Sequence, residues 1–363
     1  MHRLLLRTIN KNQILILTHI RRVPTPITSI LREISKNYNV PLSTLKGSAR
    51  ALRDLNLIAY GDDSDFLGVE LTELGRFVSR LLAGGELPLV NLVQTSSGLR
   101  PLGSVIRDVR KAILRMVAEA GSGHLGASLS ALEILAVLYF MKMRHDPKNP
   151  AWAGRDRFIL SKGHAAPALY AVLAEAGYFP QEELLTLRAL GSRLQGHPDT
   201  RTPGVDFMTG SLGQGLSVAA GMALAAKMDG AGNRVYVLLG DGELDEGQIW
   251  EAAMTAAHHG LDNLIAIVDR NQFQLSGSTA GVKSLEPLSA KWGALGWEVA
   301  EADGHDPEMI LDALDRCSLV SGRPSVIIAK TTKGKGVSFM EGNAFSRRTP
   351  NIEELEKALA ELS

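Results

Sequence analysis

Asp241 and Asn271 stand thirty positions apart, and each follows a short run of apolar, largely β-branched residues. These runs, 235–239 and 264–268, flank a helical pattern and predict a βαβ unit of a parallel sheet buried on both faces. Strands joined in this way point in the same direction, so both side chains would lie at the carboxyl edge, where open α/β sheets bind ligands. A carboxylate oxygen, an amide oxygen and a nearby backbone carbonyl suit Mg²⁺, which also takes phosphate oxygens and water.

Glycines accompany this predicted metal site. Gly240 and Gly242 flank Asp241 and let the backbone turn tightly and approach a diphosphate closely. GDG alone is equally typical of an ordinary strand-end turn, but Asn271 at the end of the next strand favours a metal–diphosphate site. A second glycine-rich loop, 209–215, leads into a predicted helix, and a helix N-terminus attracts anions.

Four of the nine histidines directly follow a glycine: His124, His164, His197 and His305. Glycine before histidine lets the backbone bring an imidazole close to a bound ligand. For any single histidine a hydrogen-bonded structural role is the simpler interpretation, and for His305 we keep it.

Several motifs occur in order between residues 105 and 330: AGSGHLGASLS (120–130), RDRFILSKGHAAPALYA (155–171), RLQGHP (193–198) and TGSLGQGLS (209–217). Together with the GDG and Asn271 pair they resemble transketolase, and by length the amino-terminal, diphosphate-binding subunit of a split transketolase. The resemblance implies an α/β fold with a doubly wound parallel sheet over residues 103–363. It also implies thiamine diphosphate and Mg²⁺ (or Ca²⁺ or Mn²⁺) as cofactors.

Position by position, the resemblance assigns roles. Metal ligands would be Asp241, Asn271 and the backbone carbonyl of Phe273. His124 and His197 would contact sugar hydroxyls and the carbonyl, and with His164, which would lie beside the diphosphate, they are the candidate catalytic histidines. Further cofactor contacts would come from Gly210, Leu212, Gly240, Gly242, Glu243 and Lys333.

Three of these assignments have simpler alternatives. Glu246 and Glu251 would cross the subunit interface and link two cofactor sites in the family, although acidic residues at a helix N-terminus also stabilise the helix alone. Lys333 would neutralise a diphosphate or sugar phosphate, although its loop could be a solvated basic turn.

Two departures from the family pattern bear on function. The family usually has Trp-His-Gly shortly before Pro-Asn, whereas here Phe345-Ser346-Arg347-Arg348 stands in that region, without the histidine. An arginine stays protonated and cannot exchange protons at neutral pH, so we expect a different substrate or rate. The glutamate that activates the cofactor's pyrimidine belongs to a module beyond the residues seen here. We therefore expect a separate carboxy-terminal subunit, with the cofactor between the two in a twofold-symmetric heterotetramer.

Residues 1–84 lie outside the resemblance and predict a winged helix-turn-helix: three helices, a hairpin over 57–71 and a last helix from Thr72. Ser43 would cap the third helix (43–55), and its exposed face would carry Thr44, Lys46, Ser48, Arg50 and Arg53, opposite the buried stripe of Leu45, Ala49, Leu52 and Leu55. Nine arginines and three lysines against seven acidic residues through position 80 favour DNA. The acidic hairpin tip, Asp62, Asp63 and Asp65, would repel phosphate, so a protein-contact role is favoured over sequence-specific DNA binding. Residues 85–102 have linker composition.

Composition limits the classes of protein to which the chain can belong. The formal net charge is zero and hydrophobic residues make up 45% of the 363 residues, as in ordinary globular proteins. One cysteine, Cys317, permits no internal disulfide, and no apolar run is long enough to predict a membrane span. We expect a cytoplasmic transketolase subunit of the pentose phosphate type. The alternatives are another thiamine enzyme with a different acceptor, such as a deoxyxylulose-phosphate-synthase relative, and a sugar-phosphate- or cofactor-sensing DNA-binding regulator.

Overall fold

The structure, a computed structural model, describes residues 12–13, 16–17, 20, 26–55, 57–59, 70–72, 92–274, 277–343 and 348–362. Packing divides the chain into two units, Met1–Leu92 and Val93–Ser363. Each unit has its own apolar core.

The first unit contains two described helices, α1 (Ile27–Tyr38) and α2 (Leu42–Asp54), and a short antiparallel pair of strands, β1 (Ile58–Ala59) and β2 (Glu70–Leu71). They match the second and third predicted helices and the predicted hairpin pairing. The acidic hairpin tip and the predicted last helix lie outside the described residues, so the winged helix stays a prediction.

Helix α2 buries Leu45, Ala49 and Leu52, as predicted. Three details of this helix were wrong. Ser48 is buried, because it lies three residues after Leu45 and four before Leu52 on the same stripe. Leu55 follows the last helical residue and is 47% exposed, and the helix starts after Pro41 without a side-chain cap, so Ser43 does not cap it.

The second unit begins with a hairpin at the carboxyl end of the predicted linker. Strands β3 (Leu92–Thr95) and β4 (Gly98–Pro101) form a two-stranded sheet. Arg100 pairs with Glu175 at 2.8 Å, and the Ser96 N–H donates to the Glu175 carbonyl at 2.8 Å. The linker prediction over 85–102 is therefore wrong at its carboxyl end, where the chain packs as part of this unit.

Five parallel strands form the central sheet: β5 (Arg157–Leu160), β6 (Val235–Gly240), β7 (Leu264–Arg270), β10 (Glu298–Asp303) and β11 (Ser325–Lys330). Across the sheet they lie in the order β10-β11-β7-β6-β5. Gly240 of β6 pairs with Asp269 of β7, so the two strands end at the same edge. The predicted βαβ unit is confirmed.

The sheet carries helices on both faces. The described helices of this unit are α3 (Leu102–Glu119), α4 (Leu125–Val137), α5 (Ala166–Ala176), α6 (Gln214–Met228), α7 (Gly247–His258), α8 (Thr279–Val282), α9 (Leu288–Ala294), α10 (Pro307–Ser318) and α11 (Ile352–Glu361), with a short antiparallel pair, β8 (Phe273–Gln274) and β9 (Gly277–Ser278), after β7. The helix predicted at 132–141 begins earlier, at Leu125, and continues into a π-helical turn, Leu138–Lys142.

Side chains of the central strands alternate between two apolar clusters. Ile265 and Ile267 of β7 pack into one cluster, while Leu264, Ala266 and Val268 pack into the other. This period of two means that one strand supports the helices on both faces of the sheet. The segment Leu125–Lys142 is long and apolar enough to span a membrane by composition, but 83% of it is buried in this core.

Candidate active site

Asp241 lies directly after β6 and is buried. Its Oδ1 accepts a hydrogen bond from the Gly242 N–H at 2.8 Å, and its Oδ2 accepts one from the Gln272 N–H at 2.5 Å. Burial, followed by the nearby Asp269 carboxylate, raises the pKa of Asp241 to about 6. A bound divalent cation would favour the ionised carboxylate, so this carboxyl group is suited to a metal.

Asn271 follows β7 and is also buried. Its Oδ1 accepts a hydrogen bond from the Phe273 N–H at 3.1 Å, and the intervening Gln272 adopts a left-handed backbone with φ of 65°. This tight turn holds Asn271 and Phe273 together, and Gln272 links it to Asp241. The three predicted metal ligands are therefore gathered at one sheet edge.

The ligand set fits a hard cation bound to a diphosphate. One carboxylate, one amide oxygen and one backbone carbonyl leave positions open for phosphate oxygens and water. A cavity of about 260 Å³ adjoins them and is lined in part by Asn271, Phe273, Thr332 and Lys333. The ammonium group of Lys333 lies 5.9 Å from the centre of the Phe273 ring, which places a cation beside the predicted metal ligands.

A buried ion pair lies beneath this edge of the sheet. We did not predict it from the sequence. Lys162, at the end of β5, donates to Asp269 of β7 and to the Ala127 carbonyl at 3.1 Å. Asp269 also accepts from Ser130 Oγ at 2.6 Å and from Thr331 Oγ1. An aspartate inside an otherwise apolar strand was the available signal, because such a carboxylate requires a partner.

Glu243 joins the two glycine-containing loops. Its buried carboxylate accepts hydrogen bonds from the Gly240 N–H at 2.9 Å, the Gly213 N–H at 2.8 Å and the Ser161 hydroxyl. Gly213 stands at the N-terminus of α6, so the glutamate fixes that helix end against the ends of β5 and β6. The carboxylate of this predicted cofactor residue therefore holds the two loops together, and its contact with the cofactor stays a prediction.

The loop before α6 fits closely against its neighbours. Gly210 has a φ of 153°, and a Cβ there would lie 3.3 Å from the His197 ring. The Leu212 carbonyl accepts a hydrogen bond from Gln248 Nε2 at 3.0 Å. The loop is thus held between the histidine cluster and the helix that follows GDG.

Three of the four histidines that follow a glycine, His124, His164 and His197, form a cluster in which neighbouring charges influence the pKa. The rings of His124 and His164 are 5.3 Å apart in an edge-on arrangement. Burial, then Lys162, His124, His197 and Lys333, lowers the pKa of His164 to about 3. Burial also lowers the pKa of His124 and His197, and all three imidazoles are therefore neutral at pH 7.

Arg188 is a second residue that sequence reasoning missed. It has a left-handed backbone with φ of 62°, and its Nη1 donates to Ser122 Oγ at 2.6 Å. Its positive charge lowers the pKa of both His124 and His197, after the effect of burial. A left-handed non-glycine residue in a loop has no clear sequence signal.

A sequence model of the transketolase thiamine diphosphate binding domain matches residues 103–357. The chain belongs to this family. It is 52% identical over 256 residues to the 6-deoxy-6-sulfo-D-fructose transketolase subunit SqwG of Clostridium sp. (strain MSTE9), covering 70% of this chain and 93% of that protein. It is 47% identical over 255 residues to an apulose-4-phosphate transketolase subunit of Phocaeicola vulgatus, covering 70% of this chain and 91% of that protein.

Solved transketolases share the fold. The enzyme from Campylobacter jejuni superposes with a TM-score of 0.68 and 38% identity, covering 72% of this chain and 42% of that chain. The enzyme from Leishmania mexicana gives a TM-score of 0.69 and 34% identity, covering 72% and 41%. This chain thus spans about two-fifths of the length of these transketolases.

Family membership confirms several predictions. The parallel-sheet fold, the transketolase-type transferase class and thiamine diphosphate with a metal ion as cofactors all follow from it. Among the described residues there is no group of three or more His, Cys, Asp or Glu that could hold a metal ion.

Of two further predicted residues, Glu246 adjoins the loop before α6, since a Cβ on Gly213 would lie 2.8 Å from the Glu246 Cβ. Glu246 and Glu251, at the start of α7, are exposed in the single chain. Glu251 borders a cavity of about 320 Å³ between α6 and α7. Their interface role stays a prediction, and the stretch 345–347, where the family histidine is missing, lies outside the described residues.

Proposed function

We propose that this chain is the diphosphate-binding subunit of a split transketolase, which transfers a two-carbon ketol unit between sugar phosphates together with a separate pyrimidine-module subunit. The proposal rests on the share of each relative's length that this chain covers. The chain covers 93% and 91% of two relatives whose names call them transketolase subunits, but about two-fifths of solved transketolases. The pyrimidine-activating glutamate would come from the other subunit.

The residues of this chain would hold the cofactor and neutralise its charge. Asp241, Asn271 and the Phe273 carbonyl would bind the metal, and Lys333 would balance the remaining negative charge of the diphosphate. When bound, thiamine diphosphate supplies a nucleophilic carbon and an electron sink. His124 and His197, neutral at pH 7, would donate and accept hydrogen bonds at the hydroxyls and carbonyl of the sugar.

The substrate set need not be the ordinary pentose phosphates. One relative is named for a sulfonated fructose and another for apulose 4-phosphate, so closely similar subunits serve unusual sugars. Residues 345–347 also lack the family histidine. We therefore propose that the donor is a ketose carrying a distal anionic group, and that the acceptor is to be found among aldose phosphates. A deoxyxylulose-phosphate-synthase-like acceptor is the alternative within the same chemistry.

We further propose that two copies of this chain pair within a heterotetramer. The exposed face of α6 and α7 supports this, because it combines small residues such as Gly221 with the exposed Met254 and the two acidic residues Glu246 and Glu251. Burial of such a face in a twofold contact would bring two cofactor sites into communication.

For the first unit we propose a protein-contact role over DNA binding. Helix α2 presents Thr44, Lys46, Arg50 and Arg53 to solvent, so a DNA-binding regulator is the second candidate. The two roles differ in salt dependence. Binding to duplex DNA would weaken steeply between 50 and 200 mM salt, whereas a weak and flat response would exclude sequence-specific binding.

The function is tested by supplying a partner. The full chain, Mg²⁺ and thiamine diphosphate would be mixed with a candidate pyrimidine-module subunit, and the mixture would be offered xylulose 5-phosphate, fructose 6-phosphate and 6-deoxy-6-sulfofructose as donors. We expect ketol transfer only in the mixture, and loss of transfer in Asp241→Ala. Failure with every donor, despite tight cofactor binding, would favour the regulator.

A further inference from the structure

His305 forms two directional hydrogen bonds outside the histidine cluster. Its Nε2 accepts from the Thr332 N–H at 2.7 Å, and its Nδ1 lies 3.0 Å from Glu133 Oε2. A ring that accepts through Nε2 carries its proton on Nδ1, so Nδ1–H is the donor to Glu133. The neutral imidazole is the form that satisfies both contacts.

The contacts continue into the core of the second unit. Glu133, on the buried helix α4, also pairs with Arg110 of α3. The side chains of Arg110, Glu133 and His305 are 9%, 7% and 13% exposed, so all three linked groups are shielded from water. Such shielded, paired groups hold their positions more firmly than surface ion pairs do.

The linked side chains of Arg110, Glu133 and His305 contact both ends of one loop, residues 332–336, which follows β11. His305 binds the backbone of Thr332, and Gly336 lies so close to Arg110 that a Cβ there would come within 2.6 Å of Nε. Between these contacts stands Lys333. Its charge contributes to lowering the pKa of His124 and His164, and it lines the cavity beside Asn271.

We infer that Arg110, Glu133 and His305 position the loop so that the Lys333 ammonium faces the cofactor diphosphate, with His305 as the positioning residue. The inference rests on the proposed function, because it takes Lys333 as the residue that neutralises the diphosphate. It goes beyond that function by giving His305 an effect on cofactor affinity without any contact with the cofactor.

The test measures binding of thiamine diphosphate with Mg²⁺ to the full chain by titration calorimetry, both alone and mixed with a candidate pyrimidine-module subunit. His305→Ala leaves the Thr332 N–H without its acceptor, and we expect affinity to fall about tenfold. His305→Gln keeps an oxygen acceptor for Thr332 and an N–H donor for Glu133, so it should stay within about threefold of wild type. Lys333→Ala should also weaken binding, and His305→Ala combined with it should weaken binding no further, because both changes remove one effect.

Two outcomes would overturn the inference: wild-type affinity in His305→Ala, or losses that multiply in the double variant. Hydrogen exchange of the Thr332 amide gives a readout that needs no cofactor. Protection in the wild type and His305→Gln, but not in His305→Ala, supports positioning, and equal protection in all three contradicts it. If thiamine diphosphate bound neither the wild-type chain nor its mixture with a pyrimidine-module subunit, the proposed function would fail, and the amide exchange would decide the positioning role alone.

Discussion

Replacing Lys162 with methionine should strongly destabilise the second unit. Lys162 and Asp269 are both fully buried, and the methionine would keep much of the side-chain volume while it removes the charge. Asp269 would retain its hydroxyl donors, Ser130 and Thr331, but no cation. Removal of one partner from a buried pair typically costs about 3–5 kcal/mol, because the other charge stays buried without compensation.

This loss is measurable as a shift in thermal unfolding. For a unit of this size we expect a decrease of about 10 °C in Tm. Lys227→Met is the matched control, because Lys227 forms a partly exposed pair with Asp262 at 3.0 Å. An exposed pair contributes at most about 1 kcal/mol, so the control should lower Tm by no more than about 4 °C.

The loss of stability in Lys162→Met should depend on pH, and the direction follows from the pKa of Asp269. Burial raises the pKa of Asp269, but Lys162 and the hydroxyl donors outweigh it and hold that pKa below its ordinary value. In the wild type this group therefore stabilises the fold above the unfolded pKa, and the stabilisation is lost as pH falls. Without Lys162, burial dominates and the pKa rises, so the difference between variant and wild type should grow from pH 5 to pH 8. A Tm shift no larger than that of Lys227→Met, or a difference that shrinks with pH, would refute the reasoning.

Two further predictions concern the residues that build the site. Because burial lowers the pKa of His164 to about 3 from 6.5, its share of stability is complete above pH 6.5 and is lost as pH falls towards 3. Compared with His164→Gln, the cofactor-free wild type should lose up to about 2 kcal/mol between pH 7 and pH 5 in denaturant titrations; equal slopes would contradict the shift. Gly215→Ala would place a Cβ 2.8 Å from the Ser161 Cα, whereas Gly293→Ala in helix α9 meets nothing within 4 Å. The first should lower stability by about 1–3 kcal/mol and the second raise it by up to about 1 kcal/mol, and the same denaturant titrations would expose a reversed order.

The central sheet and its polar edge were predictable because local patterns determine them. The apolar runs before Asp241 and Asn271 are too short for helices and rich in β-branched residues, and the segment between them has a helical period. Once two such strands are joined by a crossover helix, the direction of both strands follows, and so does the shared edge.

Pairings between distant segments were not predictable in the same way. Lys162 follows β5 and Asp269 lies on β7, the two strands that flank β6, so their contact depends on the strand order of the whole sheet. The hairpin at Leu92–Pro101 was not predicted, because its polar composition is also typical of a linker. In the structure the Thr95 hydroxyl forms hydrogen bonds with Ser97 and Gly98 within the turn, and the sequence pattern does not indicate these contacts. Ser48 was assigned to the exposed face by its polarity, although its spacing from Leu45 and Leu52 places it on the buried stripe.

The most direct test of the central claim is ketol transfer by the full chain with Mg²⁺ and thiamine diphosphate, assayed alone and then with a candidate pyrimidine-module subunit. We predict turnover only in the mixture, and its loss in Asp241→Ala, because we propose that Asp241 supplies the carboxylate ligand of the metal ion. Robust turnover by the chain alone, or undiminished turnover by the Asp241→Ala mixture, would contradict this claim.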